Sequence, residues 1–136
     1  MPVSDVAASA RFYEALTGAS ARWGNDEFAE IAVPGGATIA LSSQRLIDAF
    51  AAGSLTAGGN GGVMLELLVD DVDAEHERVR ELLGEPAGGA AELVMEPTTL
   101  PWGNRSLLLR DPDGNVVNLF TPVTPEARAR FGLDQR

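Results

Sequence analysis

The sequence predicts an α+β fold built from two βαβββ modules. Three observations predict it. The chain repeats itself at a fixed offset. Each repeat opens on a strand end, an Asp suited to capping, and a helix that stops at Gly. Each repeat then closes on two strands joined by a tight, Gly-containing turn.

The repeat is read from Val3-Ser4-Asp5-Val6-Ala7-Ala8 against Val69-Asp70-Asp71-Val72-Asp73-Ala74. An offset of 66 aligns Val3, Asp5, Val6 and Ala8 with Val69, Asp71, Val72 and Ala74, then Leu16 with Leu82 and Gly18 with Gly84. Further on, Val33–Leu41 resembles Asp111–Leu119 at an offset of 78, so the second module has a longer middle. Matches that fall on the same structural punctuation point to a duplicated unit.

Within each module, an Asp after the first strand caps a helix by accepting backbone N–H bonds. The helices are expected over Ala7–Leu16 and Ala74–Leu83. Gly18 and Gly84 stand where a left-handed C-cap is wanted. Pro34-Gly35-Gly36 and Pro112-Asp113-Gly114 make the tight turns between the last two strands. A short helix, about Gln44–Ala52, and the glycine-rich stretch Gly53–Gly62 connect the modules. That stretch does not run from a strand into a helix, so it is no phosphate loop. The tail reads as a helix with Thr124 as cap, Pro125 at its first position and Gly132 as stop. The expected layout is one domain over 1–136: module one at 1–42, the connection at 43–62, module two at 63–123, and a C-terminal helix at 124–136. Each half is small to fold alone.

Composition narrows the function. The chain has 136 residues, 45% of them hydrophobic, enough for a core. No run of about 18 apolar residues occurs, so no membrane span is expected, and no signal peptide is read at the N-terminus. There is no cysteine, which excludes disulfides and thiolate metal sites. A cytoplasmic location fits these features. The net charge of −10 argues against nucleic-acid partners, which need clustered Lys and Arg. Acidity can attract a cationic small molecule, or only keep the protein soluble.

Strand alternation sorts the side chains. Leu65, Leu67 and Val69, Ile39 and Leu41, and Val117 and Leu119 form aliphatic faces expected to pack on the helices. The opposite faces mix Thr38, Ala40, Ser42, Met64, Glu66, Leu68, Val116, Asn118 and Phe120. So apolar a second face predicts a ligand cavity or an interface rather than a solvated sheet.

Two stretches carry a family resemblance. Leu100-Pro101-Trp102-Gly103-Asn104-Arg105 followed by Arg110-Asp111-Pro112-Asp113-Gly114-Asn115 resembles the second module of the vicinal oxygen chelate superfamily. Val3-Ser4-Asp5-Val6, Ser9, Arg11-Phe12-Tyr13 and Leu16-Thr17-Gly18 resemble its first module. The superfamily includes glyoxalase I, extradiol dioxygenases, and fosfomycin- and bleomycin-resistance proteins. The resemblance implies paired βαβββ modules forming a curled mixed sheet around a cleft, and a homodimer. It also implies four places where the metal enzymes carry His, Gln or Glu. Here they fall on Ala40, Met64 and Asn118, and the fourth, by the 66 offset, precedes Met1. Ala cannot bind a metal, and Met is a soft ligand. No metal and no other cofactor is therefore expected.

His76, the only histidine, falls by helical spacing with Val72, Val79 and Leu83 on the packing face. Glu66 is the sharpest candidate. It can pair with a ligand cation or act as a general base, or be held in a salt bridge with Arg105 or Arg110. Trp23 and Trp102 can stack on a ligand or only cover the core. Asn118 can hydrogen-bond a ligand. The Asp111–Asn115 turn reads as structural. The expected ligand-binding set is Trp23, Thr38, Ala40, Met64, Glu66, Trp102, Arg105, Asn118 and Phe120. The expected function is metal-independent binding of a small cationic or aromatic molecule, such as an antibiotic. The alternative is an enzyme of the superfamily working without the usual metal, with Glu66 as its catalytic base.

Overall fold

The chain's structure, a computed structural model, describes residues 1–59, 64–83 and 92–133. Its elements run β1 (Pro2–Val3), α1 (Val6–Thr17), β2 (Arg22–Asn25), β3 (Phe28–Val33), β4 (Ala37–Ser43), α2 (Gln44–Ala51), β5 (Met64–Leu68), α3 (Val72–Leu83), β6 (Glu92–Thr99), β7 (Asn104–Arg110), β8 (Val116–Pro122) and α4 (Pro125–Arg130). They build two four-stranded mixed sheets, ordered β1-β4-β3-β2 and β5-β8-β7-β6. Among the described residues no strand pairing joins the two sheets, so the curled surface is two sheets rather than one. The expected Gly84 cap, the strand start at Val63, and the end of the connection at Asn60–Gly62 lie outside the described residues. No described helix is long and apolar enough to cross a membrane.

The duplication is visible in the backbone. Helix α3 spans the residues of α1 shifted by 66. Helix α1 runs one residue beyond its expected range at each end, and α3 starts two residues earlier than expected. Asp5 accepts from the Ala8 N–H and Asp71 from the Ala74 N–H, the same cap at the same offset. Gly18, at φ 74°, ends α1 in the left-handed conformation and donates its N–H to the Glu14 carbonyl. Strand pairs recur too. Ile31↔Ile39 and Ala29↔Leu41 of module one reappear 78 residues on as Leu109↔Val117 and Leu107↔Leu119. The pair Phe28↔Ser42 reappears as Ser106↔Phe120, with the aromatic and the hydroxyl exchanged between strands.

One core serves both modules. Ala29, Ile31, Ile39 and Leu41 from the first sheet and Leu107, Leu109, Val117 and Leu119 from the second are buried with α1's Val6, Ala10, Tyr13 and Leu16 and α3's Val72 and Val79. Each large aliphatic side chain fully buried contributes about 1.5–3 kcal/mol. His76 is half-buried on α3 beside that face.

Polar contacts then lock α1 onto module two. The Tyr13 hydroxyl donates to Asp111 Oδ2 at 2.7 Å, and Asp111 is 4% exposed. The same carboxylate accepts from the Asp113 N–H, the Asn115 N–H and the Asn115 side-chain amide, each at 2.9 Å. Asp113 accepts from the Ser4 N–H at 2.9 Å and from the Ser4 hydroxyl at 2.5 Å. From α3, Arg78 donates to the Ala15 and Leu16 carbonyls at the C-terminal end of α1, where a cation is favoured. The Asp111–Asn115 turn is therefore the buckle between the modules.

The buckle carries a pH signature. Burial, then the Asp111 charge and the hydrogen bond to it, push the Tyr13 hydroxyl far above its ordinary value. A raised folded-state pKa means the contribution is complete below the unfolded tyrosine's value of about 10 and is lost as pH rises beyond it. The chain has one Tyr, no Cys, and arginine at all ten basic positions. Tyr13 is thus the one side chain whose ionisation in the unfolded chain falls between about pH 9.5 and 11.5. Urea unfolding across that window should show stability falling by up to about 1.4 kcal/mol per pH unit. In Tyr13→Phe the same window should be flat, and an unchanged slope would show that the hydroxyl is not the group responsible.

Candidate functional site

The face of the second sheet turned away from the helices is built by strand register. Three cross-strand rows cover it: Met64–Val116–Arg110–Glu92, Glu66–Asn118–Leu108–Met95 and Leu68–Phe120–Ser106–Thr98. Neighbours in a row sit about 5 Å apart, so their side chains touch. Alternation forces the arrangement, because Leu65, Leu67, Val117 and Leu119 are committed to the core on the other side.

Glu66 sits at the centre of the edge strand β5, exposed, between Met64 (45% exposed) and Leu68 (49% exposed). Its Oε2 accepts from the Asn118 side-chain amide at 2.9 Å. Neither arginine named above as a possible salt-bridge partner takes Glu66. Arg105 makes a bidentate pair with Asp73 of α3 at 2.7 and 2.9 Å, and Arg110 donates to the Gly114 carbonyl and approaches Glu92 at 3.7 Å. Hydrogen bonding from Arg105 holds the Asp73 carboxyl below its usual value and raises the guanidinium in turn.

Asn118 is 6% exposed. Donating its amide to Glu66 fixes the other end of the side chain, since reversal would set a carbonyl against a carboxylate. Its Oδ1 is buried and has no hydrogen-bond partner. Ser106 Oγ and Asn104 Oδ1 are in the same condition, and both residues project from β7 onto this same face. These are all of the partnerless buried side-chain polar atoms among the described residues. Leaving such a group unsatisfied costs about 1–3 kcal/mol.

One end of the face is covered. Thr124 caps α4 by accepting from the Ala127 N–H, and Ala127 is fully buried. A Cβ on Gly103, at φ 93°, would lie 2.2 Å from Thr124 Oγ1 and 3.0 Å from the Ala127 Cβ, so only glycine permits this approach. Phe131, just beyond α4, packs on Phe120 with ring centroids 5.1 Å apart. The C-terminal helix ends at Arg130, with Gly132 just beyond it at φ 69° as the expected stop, and residues 134–136 lie outside the described residues.

The expected site residues divide accordingly. Met64, Glu66, Asn118 and Phe120 share one face of the second sheet. Thr38 and Ala40 occupy the matching face of the first sheet, in register with Ala32 and Glu30. Trp23 pairs with Ala29, a core residue, so its register is on the helix side, just before a bulge, at 46% exposure. Arg105 pairs with Thr121 and reaches the helix side to Asp73. Trp102 is 57% exposed in the β6–β7 turn, where its carbonyl accepts from Arg130. Ser106, Leu108 and Asn104 were not expected in the site. The unbroken run Leu107-Leu108-Leu109 hides the alternation of β7 that places them.

Three of the four metal places implied by the resemblance fall on residues of this sequence, and they give a poor donor set. Ala40 offers a methyl group, Met64 an exposed thioether, and Asn118 one neutral oxygen; adding Glu66 brings one carboxylate. A catalytic zinc takes at least three His, Cys or carboxylate ligands from the protein, and hard divalent ions are held by carboxylates among several oxygen ligands. These residues do not fit the superfamily's metal.

A model of the glyoxalase-like domain matches residues 1–120. No curated protein matches the chain. Among solved structures, a hypothetical protein from S. aureus is 29% identical, covering 89% of this chain and 88% of its own, at a TM-score of 0.69. A glyoxalase/bleomycin resistance protein/dioxygenase from Nocardioides is 23% identical over 90% of this chain and 80% of its own, at 0.70. A glyoxalase/bleomycin resistance protein/dioxygenase family enzyme from Burkholderia phytofirmans is 20% identical over 90% and 94%, at 0.72. The last two share the fold, and the match to the family model covers most of the chain. The chain belongs to the glyoxalase-like family of the vicinal oxygen chelate superfamily.

Proposed function

We propose that the protein binds a small cationic, partly apolar molecule on the Glu66 face without a metal. One observation carries this reading: an exposed carboxylate, steadied by Asn118, stands between two exposed apolar side chains on β5. That pattern complements a cation with a hydrophobic body. The net charge of −10 adds long-range attraction. An antibiotic or natural product is the expected kind of ligand, and a homodimer the expected assembly.

Benzamidine, a compact aromatic cation, is a suitable probe. Calorimetric titration should give measurable binding to the parent protein. Binding to Glu66→Gln should be roughly tenfold or more weaker, the worth of a hydrogen bond to a charged group. Equal affinities would remove Glu66 from the site.

A second reading is an enzyme of the superfamily in which Glu66 takes a proton from a bound metabolite. It draws on the carboxylate oxygen that Asn118 leaves free. Turnover abolished in Glu66→Gln with binding intact would favour it.

A further inference from the structure

The binding reading leaves the three buried oxygens unused. Asn118 Oδ1, Ser106 Oγ and Asn104 Oδ1 lie on one sheet face, on residues 6%, 1% and 7% exposed, and none has a partner. Asn118 faces Leu108 across the β7–β8 pair, and Ser106 faces Phe120, so Asn118 and Ser106 are diagonal neighbours. Diagonal neighbours stand roughly 7–8 Å apart. The two asparagine oxygens can only accept, and the Ser106 hydroxyl can accept as well as donate. Among the described residues, this face combines Glu66 with these buried acceptors, and its one side-chain cation is Arg110 at the far row, engaged with Gly114 and Glu92.

We propose that these acceptors form a second subsite, which selects ligands carrying two hydrogen-bond donor groups. A primary ammonium sits at Glu66 and Asn118 Oδ1. A second N–H or O–H donor, roughly 7–8 Å along the ligand, is taken by Ser106 and Asn104. The chemical class is a diamine or an amine bearing a distant hydroxyl. Quaternary cations match the charge and lack the donors. Phe131 and α4 overlie this end of the face through Phe120 and Gly103, so the second donor group enters beside or beneath that cover. This inference rests on the cation-binding reading above and adds to it a requirement for donors.

The test compares hexane-1,6-diamine with hexamethonium, two dications of one chain length, the first with N–H donors and the second with none. Binding is followed by calorimetry, or by NMR if it is weak. The diamine should bind more tightly, and Ser106→Ala should weaken it roughly fivefold to tenfold, the worth of one hydrogen bond. Ser106→Ala should leave hexamethonium unchanged. The unliganded Ser106→Ala protein should melt no lower than the parent, because the substitution removes a group that lacks a partner. If both dications bind alike, or Ser106→Ala spares the diamine, bound water serves these oxygens and the subsite is refuted while the Glu66 reading stands. A lower melting point for unliganded Ser106→Ala would likewise show the hydroxyl already partnered. If neither dication binds, both readings fail.

Discussion

Asp111→Ala should lower the free energy of unfolding by about 3–5 kcal/mol, the range for breaking a buried charged network by removing one partner. The carboxylate is the hub of four donors: the Tyr13 hydroxyl, two backbone N–H groups and the Asn115 amide. Alanine strands all of them in a place 4% exposed. Tyr13→Phe removes one donor and should cost about 1–2 kcal/mol. The ranking is therefore the sharper expectation, and urea unfolding of both variants checks it. A Tyr13→Phe variant as damaged as Asp111→Ala would mean that the Tyr13 hydroxyl carries the whole effect and the other three donors add nothing. Because the tyrosine belongs to module one and the aspartate to module two, the loss should be cooperative across the whole domain.

Gly103→Ala should cost about 3 kcal/mol from two sources. Holding a residue with a Cβ at positive φ costs about 1–2 kcal/mol, and the overlap with Thr124 Oγ1 adds about 1–3 kcal/mol of overpacking. Thr124 is the cap of α4, so the new methyl group displaces the first turn of that helix and, with it, Phe131 from Phe120. Gly36→Ala separates the two sources. Gly36 has φ 106° with nothing within 4 Å of its Cβ position, so it should show the backbone cost alone. A melting point about 10 °C lower for Gly103→Ala, and at most half that shift for Gly36→Ala, is the expected result. Trypsin should also cut Gly103→Ala faster at Arg128 and Arg130. Equal shifts for the two variants would show that the close approach of α4 contributes nothing.

Much of the fold was legible because its signals are local. The caps at Asp5 and Asp71 and the stop at Gly18 each act within one helical turn. The strand faces followed from period-two alternation, which puts Glu66 and Asn118, 52 residues apart, each on the mixed face of its strand; that the two meet is visible only in the structure. Where alternation breaks, the reading broke as well. The three leucines of β7 carry no periodic signal, and the bulge after Trp23 disturbs the register at the edge of the first sheet. Partner choice was illegible for a different reason. Arg105 has several acidic residues within reach, and only packing shows that Asp73 is the one it meets. Tyr13 and Asp111 are 98 residues apart, and nothing near either names the other.

The exchange of Phe28↔Ser42 for Ser106↔Phe120 has a bearing on how such duplications are detected. An alignment of the two halves scores both positions as mismatches, Phe against Ser and Ser against Phe. Scored as a couple, they are identical: one ring and one hydroxyl facing each other, with the same summed volume to fill. The ancestry of these halves is therefore under-reported by residue identity and better kept in a record of cross-strand couples. Internal symmetry of this kind should be sought by aligning ladders rather than letters.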